Sequence, residues 1–86
     1  MIIERTHSFE KEYKKLAKEV QDEFLHKISL MEQQFNHPSL RIKKIAWTHD
    51  VYEASISQHF MFTFQFIQGG IILRNIGKKD EILGRR

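Results

Sequence analysis

Residues 60 to 66 read FMFTFQF, with a phenylalanine at every even position and Met61, Thr63 and Gln65 between them. Alternate side chains of a strand point to opposite faces of a sheet, so these rings share one side only if the segment is extended and that side meets a core. A helix would distribute the same rings around its circumference. The segment therefore calls for a sheet with a layer covering the phenylalanine side. It also leaves a second face, carrying Met61, Thr63 and Gln65, turned away from that layer.

The covering layer is legible in the first half of the chain. Ile2 and Ile3 read as a short first strand, after which Ser8 is placed to cap a helix that carries Glu10 in its first turn. Phe9, Tyr13, Leu16, Val20, Phe24, Ile28, Met31 and Phe35 then follow helical spacing with no Gly or Pro among them. Taken as one helix, this run of about 28 residues would be roughly 42 Å long, against about 20 Å for a typical strand. A break is therefore expected near Ala17, Lys18 and Glu19, giving a helical hairpin whose two apolar stripes share one side. Asn36, His37 and Pro38 end the helical region, because the residue before a proline is pushed out of the α basin.

Everything beyond Pro38 has strand character. LRIKKI (40–45), VYEASIS (51–57), FMFTFQFI (60–67) and IILRNI (71–76) are separated by short polar turns, and connections this short pair strands antiparallel. A two-residue turn at Gly69-Gly70 would set Gln65 opposite Arg74, placing Arg74 on the Met61 face. The same alternation puts Glu53 and Ser55 on that face, and Tyr52, Ala54 and Ile56 toward the core. The expected architecture is α+β, an N-terminal helical hairpin packed on a mostly antiparallel sheet of four to five strands. Glu53, Ser55, Met61, Thr63, Gln65 and Arg74 would share the face opposite the helices.

A chain of 86 residues supplies area for one core, hence a single domain over residues 1–86. With 41% hydrophobic and 29% charged residues it has a globular composition, without an apolar run long enough to cross a bilayer or a secretory signal at Met1. No membrane partner and a cytoplasmic location are the expectation. The sequence has no cysteine, and its five histidines include no pair at H-x-x-x-H spacing, so neither a metal nor another cofactor is expected. The net charge of +3 is unevenly spread, with Arg41, Lys43, Lys44, Arg74, Lys78, Lys79, Arg85 and Arg86 all from position 41 onward. Such clustering suits a polyanion or an acidic protein segment.

The ordered set HPSLRIKKI, DVYEASIS, FMFTFQF and GGIILRNIGKKDEIL, preceded by the helical FEKEYKKLAKEVQDEF, resembles the RelE/ParE toxin superfamily of bacterial type II toxin-antitoxin systems, in particular its RelE-like and YafQ-like members. The resemblance spans nearly the whole chain and rests on the order of segments rather than on any one motif. It implies a RelE-like fold and a metal-independent endoribonuclease that cuts mRNA in the ribosomal A site. It also implies a cognate antitoxin that wraps the toxin in a hetero-oligomer and blocks its site. By position, Glu53, Arg74, Lys79 and Asp80 correspond to catalytic places. Lys43, Lys44, Ser55, Met61 and Gln65 would contact substrate.

Two departures from the family pattern bear on activity. Relatives commonly read Tyr-Arg where this chain has Phe60-Met61, and Gly-x-His-Asp where it has Gly77-Lys78-Lys79-Asp80. A thioether cannot hold a phosphorane, and loss of one such contact costs on the order of a hundredfold in rate. A lysine of ordinary basicity binds phosphate but is a poor base. Trp47 stands where relatives carry a small residue and could narrow the site, and His49 and His59 flank the segment that bears Glu53. The resemblance thus implies a weakened ribonuclease; its alternatives are a ParE-like gyrase inhibitor and an inactive antitoxin-binding member.

Overall fold

The phenylalanine segment is a strand along its whole expected length. In the computed structural model, which describes residues 1–84, it forms the central strand β4 (Phe60–Ile67). β4 pairs antiparallel with β3 (Tyr52–Ser55) on one side and with β5 (Gly70–Lys78) on the other. β2 (Lys43–Lys44) extends the sheet antiparallel beyond β3, while β1 (Ile2–Arg5) lies parallel to β5 at the opposite edge. The five-stranded sheet is therefore mixed, in the order β1-β5-β4-β3-β2. The parallel edge follows from topology, since β1 is separated from the hairpins by the helical region.

Two helices cover the phenylalanine face. α1 (His7–Lys14) is capped by Thr6, whose Oγ1 accepts from the Phe9 N–H at 3.1 Å and donates to the Arg74 carbonyl at 3.0 Å. The cap is thus Thr6 rather than Ser8; Thr6 is the residue that β1 delivers beside β5. α2 (Lys18–Gln33) starts after an extended Ala17, so the helical run breaks with neither Gly nor Pro. Gln21 bridges the break, its Nε2 donating at 2.8 Å to the Tyr13 carbonyl, which also accepts from the Leu16 N–H at 3.1 Å.

Phe9, Phe24, Met31, Phe62, Phe64, Ile71, Leu73 and Ile76 belong to one buried cluster between helices and sheet. The Phe24 ring stands edge-on to Phe62 at 5.2 Å and lies 5.5 Å from Phe9, joining α2 to both β4 and α1. Phe66, the last ring of the series, packs on Phe35 and Tyr52 yet remains 53% exposed, because it lies toward the hairpin end.

Three expectations about the second half are corrected. Residues 40–45 are not one strand: Leu40 ends a 3-10 turn (Pro38–Leu40), Arg41 is left-handed, and only Lys43 and Lys44 pair. The hairpin turns at Gln68-Gly69, with Gly69 at φ +83 and Ile67 paired with Gly70, one residue earlier than expected. Gln65 consequently faces Ile72, not Arg74, and a bulge between Thr63 and Phe64 leaves Arg74 as the extra residue of β5. Finally, the charged tail contains a short helix, α3 (Lys79–Leu83). Its Ile82 lies 3.8 Å from where a Cβ on Gly77 would sit, and Gly77 is the register partner of Met61. α3 therefore reaches the sheet face that α1 and α2 leave open. Arg85 and Arg86, counted above among the clustered cations, lie outside the described residues.

A candidate groove on the open sheet face

Register brings the candidate residues of three strands side by side. Glu53 pairs with Lys43 on one side and with Thr63 on the other, and Ser55 pairs with Met61. Directly paired residues share a face, so Lys43, Glu53, Ser55, Met61 and Thr63 all lie on the side away from α1 and α2. Lys44 pairs with Tyr52 and so belongs to the opposite side, where its Nζ donates to the Thr48 carbonyl at 2.5 Å.

A groove of about 540 Å³ opens on this face, lined by Arg41, Ile42, Lys43, Glu53, Ser55, Met61 and Lys79. Lys43 and Glu53 come from β2 and β3, Met61 from β4, and Lys79 from the start of α3. The Lys79 N–H donates to the His59 carbonyl at 2.8 Å, which fixes the start of α3 beside the β3–β4 connection. The Glu53 side chain is only 16% exposed and has Lys43 Nζ at 4.0 Å, whereas the Lys43 side chain is 72% exposed. The groove thus holds one largely covered carboxylate among three cations, a net positive lining that suits an anionic ligand.

The expected floor is only partly polar and partly open. Met61 and Thr63 are 1% and 2% exposed, and neither belongs to the main core cluster. Thr63 Oγ1 accepts from the Asn75 N–H at 3.0 Å, which satisfies the buried hydroxyl at the bulge. Ser55 Oγ donates to the Ser57 carbonyl at 3.1 Å. Gln65 is held between two partners, its Nε2 donating to Asp50 Oδ1 at 2.7 Å and its Oε1 accepting from Arg74 Nη1 at 2.5 Å. Gln65 and Arg74 therefore form a separate polar chain toward the hairpin end and do not line the groove.

Asp80 lies outside the groove as well. It lines a neighbouring depression of about 480 Å³ with Gln58, His59, Phe60, Lys78 and Lys79, and its Oδ1 accepts from the Glu81 N–H. Lys79 lines both concavities. His49 and Trp47 line neither, and Trp47 is 48% exposed in the loop between β2 and β3. Arg41 and Ile42 are the lining residues that strand periodicity missed; the signal available was Pro38, which permits a tight helical turn just before them. Among the described residues no group of three or more His, Asp or Glu side chains could hold a metal ion. No helix is long and apolar enough to cross a membrane.

No protein-family model matches the chain, and no curated protein matches its sequence. Solved structures do match. YafQ from E. coli superposes with a TM-score of 0.78 at 12% identity, covering 96% of this chain and 98% of YafQ. A chain of the RelB-RelE antitoxin-toxin complex from Methanococcus jannaschii matches with a TM-score of 0.72 at 16% identity, over 96% of this chain and 98% of that one. A chain of the archaeal RelE-RelB complex from Pyrococcus horikoshii matches with a TM-score of 0.68 at 16% identity, over 98% and 96%. The α+β layers, the mixed sheet and its open face together are the fold of the RelE- and YafQ-like toxins.

Proposed function

We propose that this protein is the toxin of a type II toxin-antitoxin pair and cleaves mRNA in the cytoplasm by metal-independent transesterification. The observation that carries the reading is the largely covered Glu53 carboxylate set among Arg41, Lys43 and Lys79 in one groove of this fold. Several matching structures are toxin-antitoxin complexes, which supports an antitoxin as the protein partner and a hetero-oligomer as the resting form.

In this reading a single RNA strand crosses the groove, presented in the ribosomal A site. Glu53 takes the proton of a ribose 2′-OH as O2′ attacks the adjacent phosphorus. The P–O5′ bond breaks, leaving a 2′,3′-cyclic phosphate on one product and a 5′-OH on the other. The Lys43 ammonium balances charge on the phosphorane, and Lys79 holds the departing 5′ oxygen and gives it a proton. Met61 fills its place in the groove without a charge, so the rate is reduced relative to a site with a cation there. Arg74 and Asp80, which lie outside the groove, contact the strand on either side of it and position it.

The test uses an RNA oligonucleotide in the presence of EDTA, with products resolved by mass. Cyclic-phosphate ends, lost when the reacting nucleotide is 2′-deoxy or when Glu53 is changed to Gln, are the expected result. Cleavage of the deoxy substrate, or hydrolysis giving a 5′-phosphate, would exclude the mechanism. Poisoning of DNA gyrase without RNA cuts would replace it with the ParE-like activity.

A further inference from the structure

Arg41 is the one described residue other than glycine with a positive φ, at φ 49 and ψ 47. This left-handed backbone is uncommon for a long side chain and is ordinarily occupied by Gly or Asn. Non-glycine residues held there concentrate at ligand clamps, where surrounding structure fixes them. The fixture here is the 3-10 turn Pro38–Leu40: the Arg41 N–H donates to the Pro38 carbonyl at 3.2 Å, and Leu40 is wholly buried. From this anchor the left-handed residue turns the chain toward β2 and places Arg41 at the groove.

The Arg41 side chain lines the groove with Glu53 and Lys79, and also a smaller depression beside Asn36, His37 and Pro38. Among the described residues no hydrogen bond or ion pair engages its guanidinium. The neighbouring cations differ, since Lys43 is paired with Glu53 and Lys44 donates to the Thr48 carbonyl. Met61, on the central strand of the same groove, is uncharged and 1% exposed.

We propose that Arg41 is the phosphate-gripping cation of the groove, supplying from the left-handed hinge before β2 the charge that Met61 does not supply from β4. The proposal rests on the reading of the groove as an RNA site. The planar guanidinium takes two oxygens of one phosphate side by side, which an ammonium does not. The grip comes from beside the sheet rather than from its floor, and the uncommon backbone of Arg41 sets its direction.

The test is fluorescence anisotropy with a 2′-O-methyl RNA oligonucleotide, which cannot undergo the transesterification, titrated at several salt concentrations. Arg41→Gly is the main variant, because glycine suits the left-handed backbone and keeps the fold. It is expected to weaken binding by about tenfold and to lower the slope of log K against log salt by about 0.7, the change for one phosphate contact on a single strand. Arg41→Lys is expected to restore the slope but only part of the affinity. Lys18→Ala, at an exposed α2 pair, serves as control. If the wild type binds and Lys79→Ala weakens it while Arg41→Gly leaves affinity and slope unchanged, this inference fails and the RNA reading stands. If the wild type shows no salt-dependent binding, both fail.

Discussion

Across the β2–β3 pair, Lys43 Nζ stands 4.0 Å from Glu53 Oε1, with the lysine largely in solvent and the carboxylate largely covered. An ion pair with one freely solvated partner is screened and contributes little to folding. Its consequence is chemical, because it keeps a cation beside the carboxylate to which a ribose proton is proposed to pass. Glu53→Gln is therefore expected to change stability by no more than about 0.5 kcal/mol while lowering RNA cleavage by about 10²- to 10⁴-fold. Urea unfolding and single-turnover cleavage check the two halves separately.

Arg74 is displaced from the groove by the bulge and held by Gln65, which in turn reaches Asp50. Arg74→Ala is expected to weaken RNA binding severalfold and to lower its salt dependence, leaving the rate at saturating RNA unchanged. A fall in the saturated rate equal to that of Glu53→Gln would place Arg74 at the reacting phosphate instead.

Met61, which stands where the family it resembles commonly carries an arginine, is buried to 1% exposure. An arginine there must thread its guanidinium into the groove past packed neighbours. Met61→Arg combined with Lys79→His is expected to lower stability by about 1–3 kcal/mol and to raise cleavage per folded molecule. Denaturant titration together with a rate normalised to folded protein tests both effects. A folded double variant with unchanged cleavage would count against the groove.

Gly70 of β5 is the register partner of Ile2 in β1. A Cβ there would come within 1.8 Å of the Ile2 carbonyl oxygen, a clash with backbone that no rotamer relieves. Gly70→Ala is expected to detach β1, seen as loss of amide-exchange protection over residues 2–5 while β3 and β4 keep theirs. Gly69→Ala, at φ +83, keeps β1 paired and costs about 1 kcal/mol.

What could be read from the sequence followed from local periodicity. The bounds of β4, its two faces and the helical region that covers it follow from the spacing of Phe60, Phe62, Phe64 and Phe66 and of the apolar residues before Pro38. The break in the helical region was legible through length alone, since an unbroken helix would overhang the sheet. Features set by tertiary contact were not legible. The turn at Gln68-Gly69 and the bulge at Arg74 are two shifts of register, so Gln65 and Arg74 still meet although their Cα atoms are not paired. The left-handed Arg41 interrupts a segment whose alternation reads as strand, and it joins the groove as a result. α3 is too short for a helical period to register, yet it is the element that brings Lys79 to Glu53 and Met61.

RNA cleavage by the groove around Glu53 is what sets the proposed function apart from a toxin that only binds. Primer extension on an mRNA translated in cell extract tests it most directly, comparing the wild type with Glu53→Gln at equal folded concentration. The expected result is a set of discrete cuts within the translated message, present with the wild type and absent with the variant. Intact message with both proteins, or identical cuts with both, would contradict it.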